Sequence, residues 1–179
     1  VHGTWKSGTW RNGTWHDGEW VSGLWHGGEW KAGNWHTGTW REGTWKSGNW
    51  GGGIWKSGKW SSGYWVGGLW ERGDWRGGVW KKGEWTNGVW NDGVWLGGRW
   101  NEGHWIGGKW YDGTWSGGTW HGGKWVSGIW ERGIWMGGTW SGGVWKEGMI
   151  YNPSISSCVF SKISPQKYFS QSSNGTPNR

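Results

Sequence analysis

From Trp5 to Trp145 an apolar side chain falls at every fifth position, always tryptophan, with glycine two places before it and mostly polar or small residues in the remaining slots. The phrase x-x-Gly-x-Trp starts at Val1 and has no insertion or deletion. Gly148 opens a further phrase that breaks off as Met149-Ile150. So strict a period is the mark of a repeat architecture, in which each unit buries its apolar group only against its neighbours. Helix is excluded, because a glycine in every fifth place costs up to ~1 kcal/mol each relative to alanine. What remains is an extended Gly-x-Trp segment between two-residue corners.

The residue before the repeat glycine is often a turn former. Asn12, Asp17, Asn87, Asp92 and Asp112 stand there, as do Ser7, Ser47, Gly27 and Gly97. These pairs read as tight turns because they tolerate positive φ. An antiparallel meander of very short hairpins is the first architecture to consider, and it fails on parity. The two residues flanking a three-residue strand point their backbone groups to the same edge, so they cannot close hairpins with different neighbours. Three-residue loops restore parity but throw successive tryptophans onto opposite faces of one sheet, exposing more apolar area than a soluble monomer tolerates. The pattern therefore predicts an all-β fold, a parallel β-solenoid in which each phrase forms one side of a coil. Glycine and tryptophan point inward, the residue between them points out, and glycine leaves room for the indole. The predicted core is the tryptophan set, sampled along the array by Trp5, Trp25, Trp45, Trp65, Trp85, Trp105, Trp125 and Trp145.

This spacing of small, outward, large apolar and two outward residues resembles the pentapeptide-repeat solenoids, as in Gly23-Leu24-Trp25-His26-Gly27. The resemblance implies four phrases per square coil. It covers residues 1–148 in spacing, while glycine replaces the family's alanine and tryptophan its leucine. Four tryptophans per coil would overfill a core sized for leucine, and overpacking is costly. Tyr111-Asp112-Gly113-Thr114-Trp115-Ser116-Gly117-Gly118 resembles half of a MORN repeat, which implies antiparallel hairpins. The uninterrupted array is also similar to Gly-x-Trp repeat proteins of marine phages.

Charge constrains the coil, because outward residues one coil apart stack about 4.8 Å away. Five phrases per coil would align Lys6, Lys31, Lys56 and Lys81, which like-charge repulsion disfavours. Four places Arg11 over Lys31 and Lys56 over Arg76, and three places Lys31 over Lys46. The choice between three and four stays open on this ground. At four, the array makes about seven coils and is roughly 35 Å long.

Composition changes at Met149, dividing the array 1–148 from a tail 149–179 that holds all three prolines, both phenylalanines and the single Cys158. A solenoid ends in an exposed ladder edge and an uncovered core. The tail is expected to cap it: Met149-Ile150-Tyr151, an Asn152-Pro153 turn and Cys158-Val159-Phe160 form a hairpin over the last tryptophan layer, with Ile150, Tyr151, Val159 and Phe160 as capping residues. From Ser170 onward the chain is polar and is expected to be disordered.

Mean hydropathy is −0.88 and 42 glycines accompany 29 tryptophans. Tryptophan thus takes the place of the usual aliphatic core. Net charge is +7; within the array it is mixed in sign, 16 basic against 12 acidic residues, which reads as a solvated outer face and not as a nucleic-acid footprint. A lone cysteine excludes an intrachain disulfide. No apolar run approaches the ~20 residues of a membrane span.

The variable slots carry no recurring chemistry. His2, His16, His26, His36, His104 and His121 show none of the compact metal-ligand spacings, serines lack a fixed histidine and aspartate partner, and no phosphate-binding glycine loop occurs. No catalytic residue, metal or cofactor is expected. Asn12-Gly13-Thr14 and Asn174-Gly175-Thr176 are glycosylation sequons. Tryptophan is the one chemically loaded residue, either core or a stacking platform for sugars, and the shared inward phase of all 29 favours core. Each buried indole N–H then needs an acceptor, expected near the glycines or in water at the corners. The functional expectation is a non-enzymatic spacer, fibre segment or assembly subunit of a virion or cell surface, associating with itself or with other structural proteins. The alternative is a module binding glycans or proteins through tryptophan and the outward rows.

Overall fold

The computed structural model describes residues 1–173 and shows a three-sided parallel β-solenoid closed by a hairpin and one helix. The coil is three phrases, or fifteen residues, because the register pairs Trp50 with Trp35 and Trp65, Trp55 with Trp40 and Trp70, and Trp60 with Trp45 and Trp75. Among the described residues the first face holds ten strands, from His2–Trp5 to Thr139–Trp140. The second also holds ten, from Thr9–Trp10 to Val144–Trp145, and the third holds eleven, beginning at Thr14–Trp15 and ending in the hairpin. Ten coils at about 4.8 Å each give a rod roughly 48 Å long. The square coil implied by the pentapeptide resemblance is thus corrected to a triangle, and the antiparallel alternative is excluded by parallel pairing throughout the array.

Three indoles fill the triangular section. Trp50, Trp55 and Trp60 meet edge to face, with ring centroids 5.9 Å apart and planes at 77° and 76°, so each plate closes against the next.

The strands are shorter than the sequence suggests. Most contain only the outward residue and tryptophan, while glycine and the residue before it form the bend. Hydrogen bonds run from coil to coil: the amide of Val66 donates to the Trp50 carbonyl at 2.8 Å and that of Leu69 to the Gly53 carbonyl at 2.9 Å.

Glycine's role is also different from the one expected. It does not face inward to clear space for an indole. It turns the corner at positive φ, as at Gly53 (108°) and Gly68 (114°), and a Cβ there would point along the axis into the previous coil's glycine carbonyl. The indole is the second neighbour, as at Gly58, where Trp55 Cζ2 would lie 3.3 Å from the Cβ.

The turn-forming residues before glycine do not themselves adopt positive φ; among the described residues Ser156, outside the array, is the non-glycine residue that does. Asn12, Asp17, Asn87, Asp92 and Asp112 instead accept the amide of the following glycine at 2.7–2.8 Å through the side-chain oxygen. Serines at this position link coils: Ser47 Oγ donates to Lys31 O at 2.9 Å and Ser57 Oγ to Arg41 O at 2.8 Å.

At the C-terminal end Gly148–Asn152 extends the third face in parallel, with Ile150 opposite Trp135 and fully buried where a tryptophan would otherwise stand. The chain turns at Pro153 and returns antiparallel as Ser157–Ser161. Alternation decides the rest: Val159 pairs with Ile150 and is half-buried, whereas Phe160 pairs with the outward Met149 and is 55% exposed. Phe160 therefore lies away from the last tryptophan layer.

A helix follows, Pro165–Ser173 (α1), opened by Ser164 and by proline in its first turn, a position that suits proline's missing amide. Tyr168 packs from α1 onto the tryptophan core, and its hydroxyl accepts from Asn152 Nδ2 at 3.1 Å. Ser170–Ser173 are thus helical, in contrast to the expected disorder; residues 174–179, including the second sequon, lie outside the described residues.

Candidate functional site

The chemically loaded feature of the molecule is the tryptophan column on each face. Trp65 and Trp80 stack with centroids 4.6 Å apart and planes 5° from parallel, and the same contact recurs from Trp5–Trp20 to Trp130–Trp145. Of the eight sampled core positions, Trp25, Trp45, Trp65, Trp85, Trp105 and Trp125 are fully buried, Trp145 is 9% exposed and Trp5, in the first coil, is half-buried. Apart from Trp5, these rings lie inside the rod with little or no surface open to a ligand.

Several indoles turn their Nε1 edge toward a corner of the next coil. Trp35, Trp60 and Trp125 donate to the carbonyls of Gly52, Gly77 and Gly142 in the next coil at 3.0–3.2 Å, and Trp145 donates to Ser161 of the hairpin at 3.1 Å. In the array every acceptor is therefore a second glycine, standing just before the repeat glycine. Elsewhere the edge faces the same corner without closing the bond: a Cβ on Gly133 would lie 3.0 Å from Trp115 Nε1. Twenty-three buried indole N–H groups have no partner among the described residues. Of the expected carbonyl acceptors, those of Trp35, Trp60, Trp125 and Trp145 are found among the described residues. Burying one indole is worth roughly 4–6 kcal/mol at the usual area coefficient, against roughly 1–3 kcal/mol for an unpaired donor, so burial dominates.

The outward residues form rows fifteen residues apart. Lys59 faces Asp74 and Glu84 faces Arg99, whereas Lys109 faces Lys124 and Arg41 lies one coil before Lys56. Like-charge ladders are thus more numerous than the single Lys31 and Lys46 contact read from the sequence. Lys56 Nζ is 3.5 Å from Glu71 and Lys146 Nζ 3.1 Å from Glu131; such exposed pairs contribute about 0–1 kcal/mol. Glu19 accepts from Asn34 at 2.7 Å and pairs with His36 at 2.7 Å, and these hydrogen bonds hold its carboxyl below the usual range.

His16, His26 and His36 stand on three different corners. His121 Nε2 lies 3.4 Å from His104 Nδ1, and burial together with this neighbour lowers the His121 pKa. No three of the described His, Cys, Asp and Glu residues gather as a metal site would require.

An apolar opening lies beside the cap. A cleft of about 480 Å³ separates the last corner from the hairpin and α1, with Trp135, Trp140, Tyr151, Pro153 and Pro165 in its walls. Sequence reasoning missed it because its far wall is α1; the Ser164-Pro165 start was the available signal.

No described helix is long and apolar enough to cross a membrane. No protein family and no curated protein matches the chain. Among solved structures, the polySia-specific acetyltransferase NeuO aligns over 89% of this chain and 83% of its own, at 8% identity and a TM-score of 0.16. The polysialic acid O-acetyltransferase OatWY aligns over 91% and 90%, at 5% identity and a TM-score of 0.17. Both likenesses are too slight to carry an argument.

Proposed function

We propose that this chain is a non-enzymatic structural protein, a stiff rod that serves as spacer or assembly subunit. The observation that supports this reading is the use of tryptophan: nearly every copy of the one repeated functional side chain is sealed in a continuous stack. Glycine and tryptophan are both consumed by folding, and the same phrase on all three faces leaves rod length as the quantity that repeat number sets. The variable outward positions hold mixed charge without a common constellation.

Tryptophan fluorescence and a glycan array test this against the glycan-binding alternative. The rod reading expects emission at the blue, water-excluded limit, protection from iodide and no glycan retention. Emission at the red limit with ready iodide quenching, or glycan binding lost on replacing one or two tryptophans, contradicts it.

A further inference from the structure

The cleft at the capped end differs from every other part of the tryptophan core. Trp135 and Trp140 are 1% and 6% exposed, yet their Nε1 atoms are the two among the 29 that neither bond within the described chain nor are sealed from solvent. The reason is local. The indole edges of Trp35, Trp60 and Trp125 bond to the corner seventeen residues on, and those of Trp65, Trp110, Trp115 and Trp130 approach the glycine after it; for Trp135 these positions are Asn152 and Pro153, where the chain leaves the coil for the hairpin turn. The regular corner is lost there and a cleft opens in its place.

Its lining has a definite chemistry. Tyr151, Pro153 and Pro165 provide ring surfaces over the edges of Trp135 and Trp140, Thr139 and Gln166 stand among them, and none of the described lining residues is charged. A volume of about 480 Å³ is that of a ligand site. Uncharged walls disfavour an ionic ligand, and two indole donors call for acceptor atoms on an otherwise apolar body. A proline-rich segment has this composition. Prolyl residues offer carbonyl acceptors and no amide donor, their rings match aromatic walls, and the extended left-handed helix is already ordered before it binds. A neutral glycan matches less well, because its many hydroxyl donors would need acceptors.

We propose that this cleft binds a proline-rich peptide segment of a partner protein, with Trp135 and Trp140 donating to its carbonyls. The site goes beyond the rod reading and would fix a partner at one end.

Calorimetric titration of the full chain with N-acetylated, C-amidated decaproline is the test, with a glycine-serine decamer and a neutral glucose hexasaccharide as comparisons. Saturable one-to-one binding of decaproline alone is expected. Trp140→Phe, which keeps an aromatic ring and removes the N–H, should weaken it by about threefold to tenfold. Thr139→Arg, at an exposed rim position, should abolish it while leaving the thermal midpoint near that of the parent chain. Absence of saturable decaproline binding overturns the proposal. So does equal binding of either comparison ligand, or decaproline binding that Thr139→Arg leaves unchanged.

Discussion

Gly68 lies one coil on from Gly53 at a φ of 114°, and a Cβ built on it would stand 2.5 Å from the Gly53 carbonyl oxygen. The neighbouring Gly67 is unlike it: it lacks positive φ, and a Cβ there would meet only ordinary contacts at 3.8–3.9 Å. Gly68→Ala should therefore cost more than about 3 kcal/mol, from backbone strain plus overpacking. Gly67→Ala should stabilise by about 0.4–1 kcal/mol through the unfolded chain. Urea unfolding of the two variants checks this; equal effects would contradict the division between repeat and second glycines.

The His104 and His121 pair makes stability depend on pH. The folded His121 pKa lies below its ordinary 6.5, first through burial and then through His104. Between the two values the unfolded chain binds more protons, so this contribution is present above pH 6.5 and is lost as pH falls through the folded value. An NMR titration should place the His121 midpoint below 6.5, and His104→Ala should raise it part of the way. A midpoint at or above 6.5 would contradict the geometry.

Ending the chain at Glu147 removes Ile150 from beneath the third column, and removes the acceptor Ser161 and the packing of Tyr168. The third face would lose its terminal strand and Trp135, Trp140 and Trp145 their cover. Sedimentation velocity should then show end-to-end association. A truncated chain that stays monomeric would mean that the hairpin and α1 are not a cap.

Much of this was legible in the sequence. The unbroken five-residue period gave the solenoid and the inward phase of tryptophan, and the apolar runs Met149-Ile150-Tyr151 and Cys158-Val159-Phe160 on either side of Asn152-Pro153 gave the hairpin. The number of sides was not legible, because one phrase serves every side. The charge test stayed open because like charges such as Lys109 and Lys124 are tolerated on an exposed row. Glycine's direction was misread because its Cβ would run along the axis, a property of φ that spacing does not reveal. The cap was misassigned at Phe160, where strand alternation outranks hydrophobicity. The cleft needed α1, whose polar sequence gives only its proline start.

The distance between Ser22 and Ser127 tests the account most directly. Both occupy the same corner, 105 residues and therefore seven coils apart. With Cys158→Ser, spin labels at Ser22→Cys and Ser127→Cys should give one narrow distance near ~34 Å by pulsed electron resonance. Deleting residues 66–80, one whole coil, should shorten it by about 5 Å. A broad distribution, or a distance near ~25 Å as four phrases per coil would give, would contradict a stiff three-sided rod.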